Sequence, residues 1–192
     1  MELEDLTMSS GEIQALVRRI HRPVVLVGMM GVGKSTVGRK LAQTLHLHFI
    51  DADEEIETAA QMSIPEIFDS FGESGFRDGE RRVIARLISD SESTPKVIAT
   101  GGGAFCQDQT RALILDNAIT VWLDADIDVL LERVSRKSNR PLLKQGDPRE
   151  TLCRLRDERM AFYSQAPIHI KSGNFSHTRT VSHILKGIDA WL

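Results

Sequence analysis

Read for its apolar and polar positions, the chain alternates between two periods. Val24 to Val27 is a continuous apolar run, the mark of a strand buried on both faces. Val37 to Leu45 then carries apolar residues at helical spacing. Leu47 to Ile50 predicts a second short strand and Glu54 to Ala60 a helix. Ile64 to Phe71 predicts another helix, opened by Ser63 with Pro65 in its first turn and closed by Gly72. The next helix buries Phe76, Val83, Ile84, Leu87 and Ile88. A third strand is expected at Lys96 to Ala99, a helix at Gln107 to Leu115, a fourth strand at Ile119 to Leu123 and a helix at Ile127 to Val134. A helix over Arg149 to Ala166, a fifth strand at Ile168 to Ile170 and a closing helix over Val181 to Leu192 complete the series. Strands that alternate with helices imply an α/β fold: a five-stranded parallel sheet flanked by helices on both faces. Residues 23–192 form one domain. Residues 1–22 precede it as a helical extension, with a capping box at Ser9 and Glu12 and one apolar face of Ile13, Leu16, Val17 and Ile20. That face is expected to pack on the domain, since the segment is too short and too mixed in charge for membrane binding.

The first junction of strand and helix carries chemistry. Gly28-Met29-Met30-Gly31-Val32-Gly33-Lys34-Ser35 has the form G-x-x-x-x-G-K-[ST], between an apolar strand and a helix start. Its glycines let backbone N–H groups turn inward toward an anion, and the helix end adds a positive field. Lys34 can reach the terminal phosphates of a nucleotide, and the Ser35 hydroxyl can ligate Mg²⁺.

Other strand ends should gather at the same edge. The second ends in Asp51-Ala52-Asp53, two carboxylates that an extended strand end would turn to one side; Asp53 could instead cap the helix that follows. The third runs into Gly101-Gly102-Gly103, where backbone must come close to something. Arg77 sits one turn from Arg81 with Glu80 in reach, either at a site or as a solvated surface arginine. Ser138 to Arg149 is cationic and lacks apolar periodicity, which reads as a loop able to close over a site.

Composition narrows the setting. The 192 residues carry a net charge of −3, with 41% hydrophobic and 27% charged residues, which gives no nucleic-acid footprint. No apolar run approaches the ~20 residues of a membrane span. Two cysteines without paired spacing fit a reducing compartment. Glu2, Glu4 and Asp5 do not suit a signal or transit peptide, and the cytoplasm is the expected location.

In combination these stretches resemble the shikimate kinases, a family of small-molecule kinases with the P-loop NTPase fold. The matching segments are Gly28–Gly38, Asp51-Ala52-Asp53, Phe76-Arg77-Asp78-Gly79-Glu80, Gly101–Gly103 and Arg140-Pro141-Leu142-Leu143. Arg159 with Tyr163 is similar to the late R-x-P-L-Y motif, although Ala161 and Phe162 replace its proline and leucine. The resemblance spans about Val24 to Ile170. It implies ATP-dependent phosphorylation of the shikimate 3-hydroxyl, with ATP as co-substrate, Mg²⁺ as cofactor and a monomer as the working unit. It further implies that Gly31, Val32, Gly33, Lys34, Ser35 and Thr36 hold the phosphates. Ser35 ligates Mg²⁺, Asp51 reaches it through water, and Asp53 contacts the reacting hydroxyl as base. Arg77 and Arg159 grip the carboxylate beside Gly101, Gly102 and Gly103, with Glu80 orienting Arg77. Arg140 closes over the transferring phosphate and Arg133 lies at the adenine, with Arg136 and Lys137 as the nearby alternatives. The acceptor-binding region falls at about 53–90 and the lid at about 138–149. Gluconate and nucleoside monophosphate kinases are the nearest alternatives. A GTP-dependent switch is disfavoured, because Asp69–Gly72 matches D-x-x-G only inside a helical pattern and no N-K-x-D motif occurs.

Overall fold

The computed structural model describes residues 7–91, 93–135, 147–173 and 176–192. The expected five strands form one parallel sheet: β1 (Val24–Val27), β2 (His48–Asp51), β3 (Lys96–Ala99), β4 (Ile119–Asp124) and β5 (Ile168–Lys171), in the order β2-β3-β1-β4-β5. All of β1 and β4 is buried, as continuous apolar strands should be at the centre of a covered sheet. The β2 strand begins one residue later than its apolar run suggests. The Leu47 N–H instead closes the preceding helix on the Ala42 carbonyl (2.9 Å), after His46 turns left-handed.

The helices are α1 (Ser10–Arg19), α2 (Lys34–Leu45), α3 (Ala52–Ala60), α4 (Ile64–Ser89), α5 (Asp108–Asn117), α6 (Ile127–Ser135), α7 (Pro148–Tyr163) and α8 (His177–Trp191). Two of them touch the sheet through glycine. A Cβ on Gly38 would meet the Phe49 ring at 2.5 Å, and one on Gly187 the Ile168 side chain at 2.8 Å, so these residues let α2 and α8 approach closely. The two helices pack together, with α1 outside α2. The capping box of α1 is present, Leu16 and Ile20 are buried, and Arg19 pairs with Asp189 of α8. The extension is therefore packed on the domain.

Several helix boundaries differ from the apolar pattern: α7 ends at Tyr163, three residues before the expected Ala166, and three others have a local cause. Gly72 breaks α4 (φ 68°, ψ −179°) without ending it, so the two expected helices run on as one kinked element. The α8 helix starts four residues before its first apolar position because Ser176 caps a polar first turn. The α3 helix starts at Ala52 with Asp51, not Asp53, as its cap: the Asp51 carboxylate accepts from the Asp53 N–H at 3.1 Å. Asp53 is thus in a first helical turn and not on an extended strand end.

Candidate active site

A cavity of about 500 Å³ opens where the loops after β1, β2 and β3 meet. Parallel topology puts it there, since β1 lies between β3 on one side and β4 on the other and the connections diverge at their carboxyl ends. Its middle is the glycine loop. Gly28, Gly31 and Gly33 adopt φ of 136°, 80° and 100°, a region that side chains disfavour. Gly33 then serves as the N-cap of α2 and supplies no capping side chain. In α1, α3, α4, α7 and α8 a Ser or Asp side chain satisfies the first turn. The first turn of α2 has neither a cap nor an acidic residue, so its N–H groups and positive end are left for an anion.

Lys34, Ser35 and Thr36 line the cavity. The Lys34 ammonium is held over the loop by the Gly28 (2.7 Å) and Met29 (3.0 Å) carbonyls. The Ser35 hydroxyl donates to Asp51 Oδ2 at 2.6 Å. A hydroxyl and a carboxylate at this spacing are hard oxygen donors suited to Mg²⁺. Among the described residues no group of three or more His, Cys, Asp or Glu could hold a metal. The donor set therefore fits an ion that takes most of its ligands from phosphate and water. Val32 is fully buried, and its N–H closes a turn on Met29 (3.3 Å), so it shapes the loop from behind.

One end of the cavity is lined by Asp53, Thr100, Gly101 and Gly102. None of the three consecutive glycines has a positive φ; what they provide is space. A Cβ on Gly101 would lie 2.8 Å from Asp53 Oδ1 and 3.0 Å from Glu80 Oε1, and one on Gly103 would lie 2.5 Å from Arg77 Nη2. At Gly102 it would come within 3.5 Å of Arg159 Nη1. The glycine run is a floor on which Asp53, Arg77, Glu80 and Arg159 converge from α3, α4 and α7. Arg77, only 19% exposed, donates to Glu80 Oε2 at 2.7 Å, which removes the solvated-surface alternative. Glu80 is 1% exposed, and its Oε1 has no hydrogen-bond partner among the described residues. Burial pushes the Glu80 carboxyl above its ordinary range, against the pull of Arg77, while Arg77 itself stays charged because Glu80 outweighs the cost of burial. Arg159 donates to the Gly102 carbonyl at 3.2 Å, so with the motif's proline and leucine replaced it stands against the glycine run.

At the opposite end stand Arg133 and His177. The Arg133 guanidinium donates to the carbonyls of Val32 (3.0 Å) and Gly173 (3.1 Å), bracing the loop against the segment before α8. His177 was not signalled by any pattern; only the serine cap before it marks a helix end there. Arg140 and most of the expected lid lie outside the described residues, and positions 147–149 already belong to the cap and first turn of α7.

The cavity thus has an anion-binding middle, a carboxylate beside it and two arginines over a glycine floor. The shikimate kinase family profile matches residues 30–189. This chain belongs to the shikimate kinase family. A shikimate kinase of Novosphingobium aromaticivorans is 64% identical over 193 residues, covering all of both chains, so residues 1–22 have a counterpart there. One from Rhodopseudomonas palustris is 53% identical over 171 residues, 89% of this chain and 83% of its own. The solved Acinetobacter baumannii shikimate kinase in complex with shikimate superposes with a TM-score of 0.81 at 35% identity, over 91% of this chain and 97% of that one.

Proposed function

We propose a division of labour within the cavity for the reaction that comes with this family, the ATP-dependent phosphorylation of the shikimate 3-hydroxyl to shikimate 3-phosphate and ADP. The middle takes the phosphates of ATP. Backbone N–H groups of Gly31 and of Gly33 through Thr36 face the β- and γ-phosphates, with Val32 holding the loop's shape, and Lys34 neutralises charge as it develops on them. Ser35 would hold Mg²⁺ directly and Asp51 would hold it through water, and the ion would offset phosphate charge. Shikimate lies on the glycine floor, its carboxylate between Arg77 and Arg159, whose planar guanidinium groups suit bidentate pairing, and its 3-hydroxyl at Asp53.

Asp53 accepts the hydroxyl proton as the oxygen bonds to the γ-phosphorus and the bond to the ADP oxygen breaks. Glu80 keeps Arg77 aimed. Arg133, with Arg140 from the lid, serves the nucleotide end. Residues 53–90 form the acceptor-binding region of a monomeric enzyme working in the cytoplasm. The observation that carries this reading is the convergence of Asp53, Arg77 and Arg159 on the glycine run beside an uncapped helix end.

The test is ADP release with shikimate, gluconate and nucleoside monophosphates as acceptors, run on the wild type and on Asp53→Asn. Turnover with shikimate alone is expected, falling at least ~10² in kcat for the variant with nucleotide binding intact. Preference for another acceptor would overturn the substrate, and a fully active Asp53→Asn would remove Asp53 from the chemistry.

A further inference from the structure

A run of three glycines is the most freely rotating backbone available, yet here it must hold a substrate floor in place. It has no side chains to lock it, so the lock must come from elsewhere. The Gly101 and Gly103 carbonyls accept from the Ala104 and Cys106 N–H groups of the following turn, and the Gly102 carbonyl between them accepts from Arg159 Nη1 and from the Tyr163 hydroxyl. A carbonyl oxygen has two lone pairs, and these two donors can share it without competing. Arg159 and Tyr163 are four positions apart on α7, hence neighbours on one face.

The tyrosine is itself fixed. It is 2% exposed, and its ring lies near-parallel to Phe105 (11°, 6.5 Å) and Trp122 (26°, 6.0 Å). Trp122 belongs to β4 and Phe105 to the 3₁₀ turn directly after the glycines. Burial pushes the Tyr163 hydroxyl to a higher pKa, so it remains a donor across the working pH range.

We propose that Tyr163 is a positioning residue for the acceptor: its hydroxyl pins the Gly102–Gly103 peptide and thereby fixes Arg159, which shares that carbonyl. The inference rests on the reading that the glycine end receives shikimate. Without the hydroxyl the Gly102 carbonyl keeps Arg159 as its side-chain donor, the peptide plane between the two held glycines can tilt, and Arg159 loses the fixed carbonyl that aims it.

Tyr163→Phe keeps the ring and removes only the hydroxyl, with its contacts to the Gly102 carbonyl, Arg159 and Cys106. In saturating ATP, which also favours the native state by mass action, the variant should show a KM for shikimate about tenfold higher, with kcat and the KM for ATP within about twofold. Combined with Arg159→Lys, the pair should raise the shikimate KM no more than the larger single change, since both act at one carbonyl. An unchanged shikimate KM, an equal rise for both substrates, or a product of the two single effects would overturn the proposal and leave Tyr163 as a core residue. A wild type that does not turn over shikimate would instead defeat the functional reading, before any variant is compared.

Discussion

At the phosphate end of the cavity, one continuous segment, Gly28 to Thr36, supplies the turn, the helix start, the ammonium and the hydroxyl. The acceptor end draws on Asp53 from α3, Arg77 and Glu80 from α4, Gly101–Gly103 after β3 and Arg159 from α7. In the proposed reading the first is recognition by backbone, set by φ angles at three glycines and by a helix end without a capping side chain. The second is recognition by charged side chains brought together over glycines that are there for room. Backbone recognition tolerates side-chain variation, so Met30 can line the cavity without disturbing the loop. Side-chain recognition requires buried charge, which costs stability even when paired and more when a partner is removed.

The comparison predicts different injuries at the two ends. Lys34→Ala should lower turnover by about 10³ or more, since it removes the cation facing the transferring phosphate. The circular dichroism spectrum should still be that of the folded protein. Near-normal turnover would remove Lys34 from the phosphate site.

Gly103→Ala is a subtler break, confined to the acceptor end. With φ at −100°, alanine fits the backbone. Its methyl group would lie 2.5–2.9 Å from the Arg77 guanidinium, the far end of a flexible side chain that can swing away. The shikimate KM should rise roughly 10- to 100-fold through misplacement of Arg77. The KM for ATP should barely move, while the melting temperature falls in so far as the buried Glu80 loses its partner. An unchanged shikimate KM would mean that the glycine is not there to make room for Arg77.

The smallest effect concerns Glu80. Its buried carboxyl has a pKa above the ordinary 4.5, burial being the main cause. The native state therefore holds the proton more tightly than the unfolded chain, and this contribution to stability is lost as pH rises from 4.5 through the raised native value. Glu80→Gln mimics the protonated form. Urea unfolding between about pH 4 and 7 should find the two proteins alike at the acid end, with the variant gaining on the wild type as pH rises. A wild type that gains instead would show that pairing with Arg77 outweighs burial.

The same contrast explains what could be read from the chain. The phosphate end was legible because everything it needs is contiguous, and β1 and β3 have the bounds that their apolar runs mark. The Ser9 box and the break at Gly72 were equally local. Asp51 as the cap of α3, and Asp53 inside that helix, were not legible, because D-A-D suits either arrangement until the neighbouring Ser35 hydroxyl claims one carboxylate oxygen. Nor could spacing reveal that Arg77, Glu80 and Arg159 meet over Gly101–Gly103. Spacing put Glu80 in reach of Arg77, only family resemblance added Arg159, and the reason for three glycines emerges from what a methyl group there would strike. His177 left no trace, since a polar first turn of a helix has no apolar period.

The central claim is that the two ends serve different substrates, and Arg77→Ala tests it most directly. Calorimetric titration of the purified variant with shikimate and, separately, with ADP and Mg²⁺ gives both dissociation constants free of catalysis. Loss of a charge-assisted pair in a buried site should weaken shikimate binding by about 30-fold or more, with ADP binding within about twofold of the wild type. Equal weakening of both ligands, or unchanged shikimate binding, would contradict the account.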